Sequence, residues 1–362
     1  MALTPYILHF RDLGREARSL VGGKNASLGA LLRAGARVPS GFALTTHAYE
    51  SFLEHGGIRD RLRAAVGSID HADPAALERA SARARQLIET AAMPPDIASA
   101  LQNSYESLAE EIGTADVPVA VRSSATSEDS VEASFAGQQE TFLWVRGAES
   151  LARLTLRCWS SLYTTQALAY RAQFGYPLDG AAMGVGIQSM VDARVAGVMF
   201  TLNPLTGDLA TIVIEGSWGL GTSVVGGEVT PDEYWVEKVT LAVLKRTIAT
   251  KVTQDVAAPG GGVTREAVPQ PLQCVPCLTD DEVRELAQLG KIMERDAGSP
   301  QDIEWAIDRR LAFPESVLLL QCRPETVWSK RTARPLVTPK ATALDYVTDA
   351  MLARLGSPHR RA

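Results

Sequence analysis

Between residues 116 and 240 the chain is a succession of short runs rich in β-branched residues: VPVAVR, ETFLWV, GVGIQSMV, AGVMFTLNP, ATIVIEGSW and DEYWVEK. Their composition and spacing predict a sheet. One helical stretch near 148–174 interrupts it, where Leu151, Leu154, Leu156, Trp159, Leu162 and Tyr163 recur at helical intervals. Ahead of these runs, residues 51–115 are rich in Ala, Arg and Glu with apolar residues at helical spacing, broken at Asp73-Pro74 and Met93-Pro94-Pro95. Behind them, residues 241–278 are weakly patterned, and the glycine run at 258–262 reads as a mobile loop. Thr279 with Glu282 three residues on predicts a capping box opening a helix that runs to about Asp296. Two further strands, DIEWAID and VLLLQCR, follow it. A chain that mixes its elements in this order folds as α+β.

Length and charge narrow the function classes. At 362 residues, 46% hydrophobic and 22% charged, the chain supports two or three packed lobes. Its net charge of -6 argues against a nucleic-acid partner, because phosphate backbones recruit clustered Lys and Arg. His359, Arg360 and Arg361 at the tail are too few to form a nucleic-acid arm. The N-terminal MALTPYILHFRDLG has no basic stretch followed by a long apolar core, and no apolar run reaches membrane-spanning length. A cytoplasmic protein without membrane contact is expected. The 4 cysteines, Cys158, Cys274, Cys277 and Cys322, are scattered as in a reducing compartment. Cys274 and Cys277 form a C-x-x-C without a second ligand pair, so two loop thiols are expected rather than a zinc site.

Several stretches carry residue types suited to phosphate and metal chemistry. Gly22-Gly23-Lys24 opens a helical pattern, so backbone N–H groups and an ammonium are placed to receive phosphate, although such a turn also serves simply as a turn. Arg122 ends a strand ahead of two serines, where a guanidinium can fork onto phosphate oxygens or lie at the surface. Asp302 and Glu304 share one face of their strand, which Asp308 continues if the strand stays regular, and Gln321 and Arg323 repeat the spacing in the next. Carboxylates, an amide oxygen and a guanidinium on one face suit a magnesium–nucleotide site or, equally, a polar solvent-facing sheet. Trp218-Gly219-Leu220-Gly221 with Gly226-Gly227 is a turn where backbone approaches a ligand or merely bends.

Taken in order, these stretches resemble one family. They are Val21-Gly22-Gly23-Lys24-Asn25-Ala26-Ser27-Leu28, Val38-Pro39-Ser40-Gly41-Phe42, Val121-Arg122-Ser123-Ser124-Ala125 through Glu128-Asp129, Ser134-Phe135-Ala136-Gly137-Gln138, Asn203-Pro204, Gln301-Asp302-Ile303-Glu304-Trp305, and Leu320-Gln321-Cys322-Arg323-Pro324. Together, over roughly residues 5–328, they are similar to the N-terminal nucleotide-binding domain of phosphoenolpyruvate synthases, pyruvate phosphate dikinases and rifampin phosphotransferases. The resemblance implies an ATP-grasp-like α+β fold, with two lobes clamping ATP. It implies lobes at 1–180 and 181–328 and a linker with a short helix at 329–362. By the same resemblance Lys24 and Arg122 contact phosphates, Gly137, Gln138 and Thr141 belong to the loop over them, and Gln188, Met190 and Val191 form the adenine side. Glu304 and Gln321 are then the Mg2+ ligands, flanked by Asp302 and Arg323, and Lys24, Arg122 and Arg323 are the catalytic cations.

Two departures qualify the match. Where relatives read Gly-Leu-Gly-Glu, this chain has Gly219-Leu220-Gly221-Thr222, leaving Glu215 or Glu228 as substitutes for the missing carboxylate. The relay histidine is absent: His9, His47, His55, His71 and His359 all lie outside a Gly-Gly-x-x-Ser-His-type loop. The chain is therefore expected to supply the ATP half-reaction of an AMP-forming dikinase. A partner subunit or domain would bear the phosphohistidine and bind the acceptor, as in phenylphosphate synthase. An excised domain, or a nucleotide-binding module without transfer activity, are the alternatives.

Overall fold

A computed structural model describes residues 5–67, 73–126, 140–174 and 181–329. Its strands are β1 (Ile7–His9), β2 (Gly41–Leu44), β3 (Val119–Ala125), β4 (Thr141–Val145), β5 (Met183–Ser189), β6 (Ala193–Phe200), β7 (Thr211–Trp218), β8 (Asp232–Glu237), β9 (Val243–Thr247), β10 (Thr253–Ala257), β11 (Val263–Ala267), β12 (Gln301–Asp308) and β13 (Val317–Pro324). They form a 5-stranded sheet ordered β1-β2-β5-β3-β4, a 6-stranded sheet ordered β13-β12-β6-β7-β8-β9, and the hairpin β10-β11. Neighbouring strands in all three run antiparallel. The chain is thus α+β. β5, which follows residue 180, lies inside the first sheet between β2 and β3.

The helical pattern of 51–115 becomes helices Thr46–Glu54, Ile58–Val66, Pro74–Glu89 and Pro95–Ile112. Proline punctuates them as expected: Pro74 and Pro95 occupy first turns, where a missing N–H costs nothing, and Asp73 accepts from Ala75 N–H at 2.9 Å. The stretch 148–174 divides into Ala148–Ser160 and Thr165–Phe174. These helices cover the first sheet, burying Tyr49, Phe52 and Trp159 against Val119, Val121, Val185 and Ile187. Trp159 sits with ring centroids 5.6 Å from Tyr49 and 5.0 Å from Phe52. The capping box at Thr279 is present, with Thr279 and Glu282 each accepting from the other's backbone N–H. The helix it opens, Asp280–Ala297, packs Val283, Leu286 and Met293 on the second sheet beside Ile212, Ile214, Ile303 and Trp305.

Helix Arg18–Arg33 joins the two cores. Its Val21, Leu28 and Leu31 pack into the second core, while its N-terminal backbone lies on the first sheet. Gly22 breaks the helix with φ 78° and ψ 170°. A Cβ there would lie 2.1 Å from Ser124 O, one at Gly184 2.4 Å from Val21 O, and one at Gly186 2.2 Å from Asn25 Oδ1. Gly22 and Gly184 therefore let main chain meet main chain, and Gly186 makes room for the Asn25 side chain.

Residues 241–278 depart from the sequence reading, since they hold β9, β10 and β11. VLKRT and VTREA are polar and largely exposed, and TQDVA is polar and half-buried, so none shows strand patterning. The glycine run at 258–262 is the β10–β11 turn. It is tied down by Ala258 N–H on Gly262 O at 3.0 Å and Gly262 N–H on Trp144 O at 3.2 Å. Met1–Glu325 cluster as one compact unit and Thr326–Ala362 as another; every element above lies in the first. Among the described residues no helix is long and apolar enough to cross a membrane.

Gly22→Ala should cost about 3 kcal/mol of unfolding free energy, because a left-handed backbone and a main-chain clash act together. Gly35→Ala, also at positive φ but with nothing within 4 Å, should cost only about 1 kcal/mol. Urea denaturation of the two variants checks the difference; equal losses would contradict the packing account.

Candidate functional site

The site lies where the ends of β3, β4 and β5 meet the face of the second sheet. Register places Arg122 between Thr141 of β4 and Gly186 of β5. Alternation along β3 puts Ser124 on the same face, and Asn25 N–H donates to Ser124 Oγ at 3.3 Å. The Gly22-Gly23-Lys24 turn therefore sits against the strand that carries Arg122, with Asn25 Nδ2 donating to Val21 O at 2.8 Å to brace it. Thr141, exposed, faces the same side as Arg122. Gly137 and Gln138 lie outside the described residues.

Across the junction, Glu304 pairs in register with Gln321, and Asp302 with Arg323. Asp302 Oδ2 is 3.4 Å from Arg323 Nε, and Glu304 Oε2 is 3.8 Å from Arg122 Nη1. The last contact links the two sheets. Two atoms here are buried without a partner, Arg122 Nε as donor and Asp302 Oδ1 as acceptor. Burial raises the Asp302 carboxyl above the usual carboxylate range, against the pull of Arg323. Asp308 is buried and pairs with Arg310 at 2.9 Å, so it is a structural carboxylate; the bulge beside it lies in β6, which skips Arg194.

Between the sheets lies a small apolar shelf. Val191, Ala193, Ala196, Leu220 and Ala306 are buried there, with Met190, Trp144, Leu318 and Leu320 packed against them. Met190 N–H donates to Pro118 O at 2.9 Å, which fixes the crossing from β5 to β6. Gln188 is 2% exposed, held in register between Gly41 and Ala120, and its Nε2 has no acceptor. Lys24, Arg122, Thr141, Gln188, Met190 and Val191 thus come from the first sheet and its appended turns, and Asp302, Glu304, Gln321 and Arg323 from the second.

The glycine turn after β7 approaches protein backbone. Gly219, at φ 75°, would put a Cβ 2.4 Å from Asp255 O. Thr222 Oγ1 donates to Asp255 Oδ2 at 2.7 Å, and Arg265 joins Asp255 at 2.8 Å to Glu228 at 2.5 Å. Glu228 is committed to that network. Glu215 instead stands in one cross-strand row with Glu304, through Val198, and with Glu233. Burial first, then Glu233, raises its carboxyl. The Thr222–Asp255–Arg265 network and the Glu140 carboxylate 3.7 Å from both Arg85 and Arg157 have no counterpart in the sequence reading. Their partners come from distant elements, and no local pattern announces them. Cys277 is buried, its thiol pushed up by that burial, and Cys274 is exposed. Among the described residues no group of three or more His, Cys, Asp or Glu is arranged to hold a metal.

Fold and site together define an α+β protein with cations from one sheet facing carboxylates of another. The chain matches the family described as "Pyruvate phosphate dikinase, AMP/ATP-binding domain" over residues 18–343, and it belongs to that family. It is 42% identical over 358 residues to a probable phosphoenolpyruvate synthase of Staphylothermus marinus, covering 93% of this chain and 43% of that protein. It is 39% identical over 350 residues to a phosphoenolpyruvate synthase of Aeropyrum pernix, covering 90% and 43%. The Neisseria meningitidis phosphoenolpyruvate synthase is 39% identical over 340 residues, covering 90% and 42%. The chain spans less than half the length of these relatives.

Glu215 supplies a pH prediction. A carboxyl raised in the folded state costs nothing below the unfolded pKa of about 4.3, and its cost grows as pH rises through the folded value. Glu215→Gln should therefore gain stability relative to the native chain as pH rises from about 4 to 7, read by urea denaturation across that range. A difference that stays constant with pH would contradict the burial account.

Proposed function

We propose that this chain binds Mg2+·ATP at the junction of the two sheets and donates a phosphoryl group from it. The observation that carries the proposal is the meeting of Arg122 and Glu304 at 3.8 Å, a phosphate-type cation from one sheet beside a metal-type carboxylate from the other. The residues fit both groups. Arg122 Nε is a buried donor awaiting an acceptor, and Asp302 Oδ1 is a buried acceptor awaiting a cation. Glu304 and Gln321 offer two oxygen ligands and leave the remaining positions open, as suits a magnesium ion that keeps waters and phosphate oxygens.

In this reading Lys24 and Arg122 hold the phosphates, with Gly137, Gln138 and Thr141 in the segment that closes over them. Gln188, Met190 and Val191 border the base, on the apolar shelf that ends at Leu318 and Leu320. Arg323 stands with Asp302 beside the metal ligands and turns its charge toward the transferred group. Magnesium, when bound, neutralises charge that develops on the phosphates. The chain's own contribution is positioning and fixed charge, with Lys24, Arg122 and Arg323 as catalytic cations. The two lobes act as an ATP-grasp-like clamp.

The relay histidine lies outside this chain, so a histidine on a partner subunit or domain receives the phosphoryl group and passes it to a small acceptor. The phosphoenolpyruvate synthase relatives, more than twice as long, support the need for further domains. Purified chain should bind ATP with Mg2+ yet release little AMP until a histidine-bearing partner is added. Vigorous AMP formation by the chain alone would refute the relay. Glu304→Ala should lower the ATP-dependent step at least ~100-fold with the fold intact by circular dichroism, and an unchanged rate would remove the metal assignment.

A further inference from the structure

The charges at the junction are paired before any ligand arrives. Arg323 and Asp302 belong to neighbouring strands of one sheet, and the Arg323 side chain is 56% exposed. Arg122 and Glu304 come from different sheets, with side chains only 17% and 29% exposed, where screening by water and salt is weaker. We infer that the Arg122–Glu304 contact is an internal stand-in for the metal–nucleotide complex, so that a divalent cation and a polyphosphate each bind weakly alone and strongly together.

The inference rests on the nucleotide reading above and follows from what each ligand must displace. A cation alone at Glu304 sets its charge beside Arg122, 3.8 Å from Oε2, and competes for the carboxylate with a shielded guanidinium whose Nε already lacks an acceptor. A polyphosphate alone can engage Arg122 only by leaving Glu304 unpaired beside its own negative charge. When both bind, Arg122 turns to phosphate and Glu304 to the metal, and every charge keeps a partner. Because the same contact opposes both ligands, each must raise the other's affinity by the same factor. The contact spans the two sheets, so its exchange also reports binding to both halves of the site.

Calorimetric titration of the whole chain with Mn2+ and with ADP tests this. In the native chain saturating ADP should tighten Mn2+ by about tenfold. Arg122→Gln should bind Mn2+ alone several-fold more tightly than the native chain, and its further gain from ADP should be several-fold smaller, leaving only what direct metal–phosphate coordination supplies. Arg122→Lys keeps the charge and should keep the weak Mn2+ binding. Glu304→Gln, tested from the other side, should bind metal-free ADP several-fold more tightly than the native chain. Arg284→Gln, which removes a cation paired with Asp281 at 2.7 Å on helix Asp280–Ala297, should leave Mn2+ affinity unchanged. An Arg122→Gln protein with native melting temperature and native Mn2+ affinity overturns the inference, as does an equal gain in Arg284→Gln. If Arg122→Gln fails to fold, unchanged metal-free ADP binding by Glu304→Gln overturns it. A native chain that binds neither Mn2+ nor ADP removes the nucleotide reading and this inference with it. Native binding of Mn2+·ADP with no change in the variants removes this inference alone.

Discussion

Main chain resting directly on main chain at the start of helix Arg18–Arg33 is the constraint on which the rest depends. A Cβ at Gly22 or Gly184 would strike main chain, and one at Gly186 would strike the Asn25 side chain that braces the turn. The helix consequently sinks onto β3 and β5, and its first turn comes to rest beside the strand of Arg122. The same helix buries Val21, Leu28 and Leu31 in the second core, so one element fixes both sheets. Displacing it outward by the width of one methyl group would move the Lys24 turn away from Arg122 and loosen both cores at once. Interiors packed at crystal density transmit such a shift rather than absorb it.

That packing explains why polar groups survive half-buried at the junction. Arg122 Nε, Asp302 Oδ1 and Gln188 Nε2 are each buried without a partner, at a cost of about 1–3 kcal/mol apiece, as are core atoms such as Trp159 Nε1 and Thr155 Oγ1 elsewhere. The first three gather around one junction of sheet ends, apolar shelf and carboxylate row. The most deeply buried charges are satisfied: Lys251 and Asp232, both fully buried, are paired at 2.6 Å, and Asp232 also accepts from Ala249 and Cys277 N–H at 2.9 Å. Membership of the pyruvate phosphate dikinase AMP/ATP-binding family gives the unsatisfied atoms at the junction a chemical reading.

Much of this was legible in the chain. The β-branched runs gave β3 to β8, β12 and β13, because burial on one or both faces forces that composition. The capping box at Thr279 and the prolines at 74 and 95 marked helix starts through local hydrogen bonding alone. β1 and β2 are only three and four residues long, too short for a period to show. β9, β10 and β11 escaped because they are polar, β9 and β11 largely exposed as well, with pairing set by their neighbours. Of the site, spacing placed Asp302 with Glu304 and Gln321 with Arg323 on shared faces. Asp308 is instead taken up by Arg310 at 2.9 Å, a pairing that spacing along the strand does not announce.

The sequence by itself determined the elements and the residue types that crowd each one, since propensity, capping and periodicity act over a few residues. It also determined the family, through motifs kept in order along the chain. Only the tertiary structure decided which motif faces which. Arg122 and Glu304 stand 182 positions apart, and nothing local brings them to 3.8 Å. Thr222, Asp255, Arg265 and Glu228 become one network, and Glu215 rather than Glu228 shares the carboxylate row, because strand order and register set those neighbours. Pairings of that kind are a property of the packed sheets, fixed by the burial of surfaces far from the residues they unite.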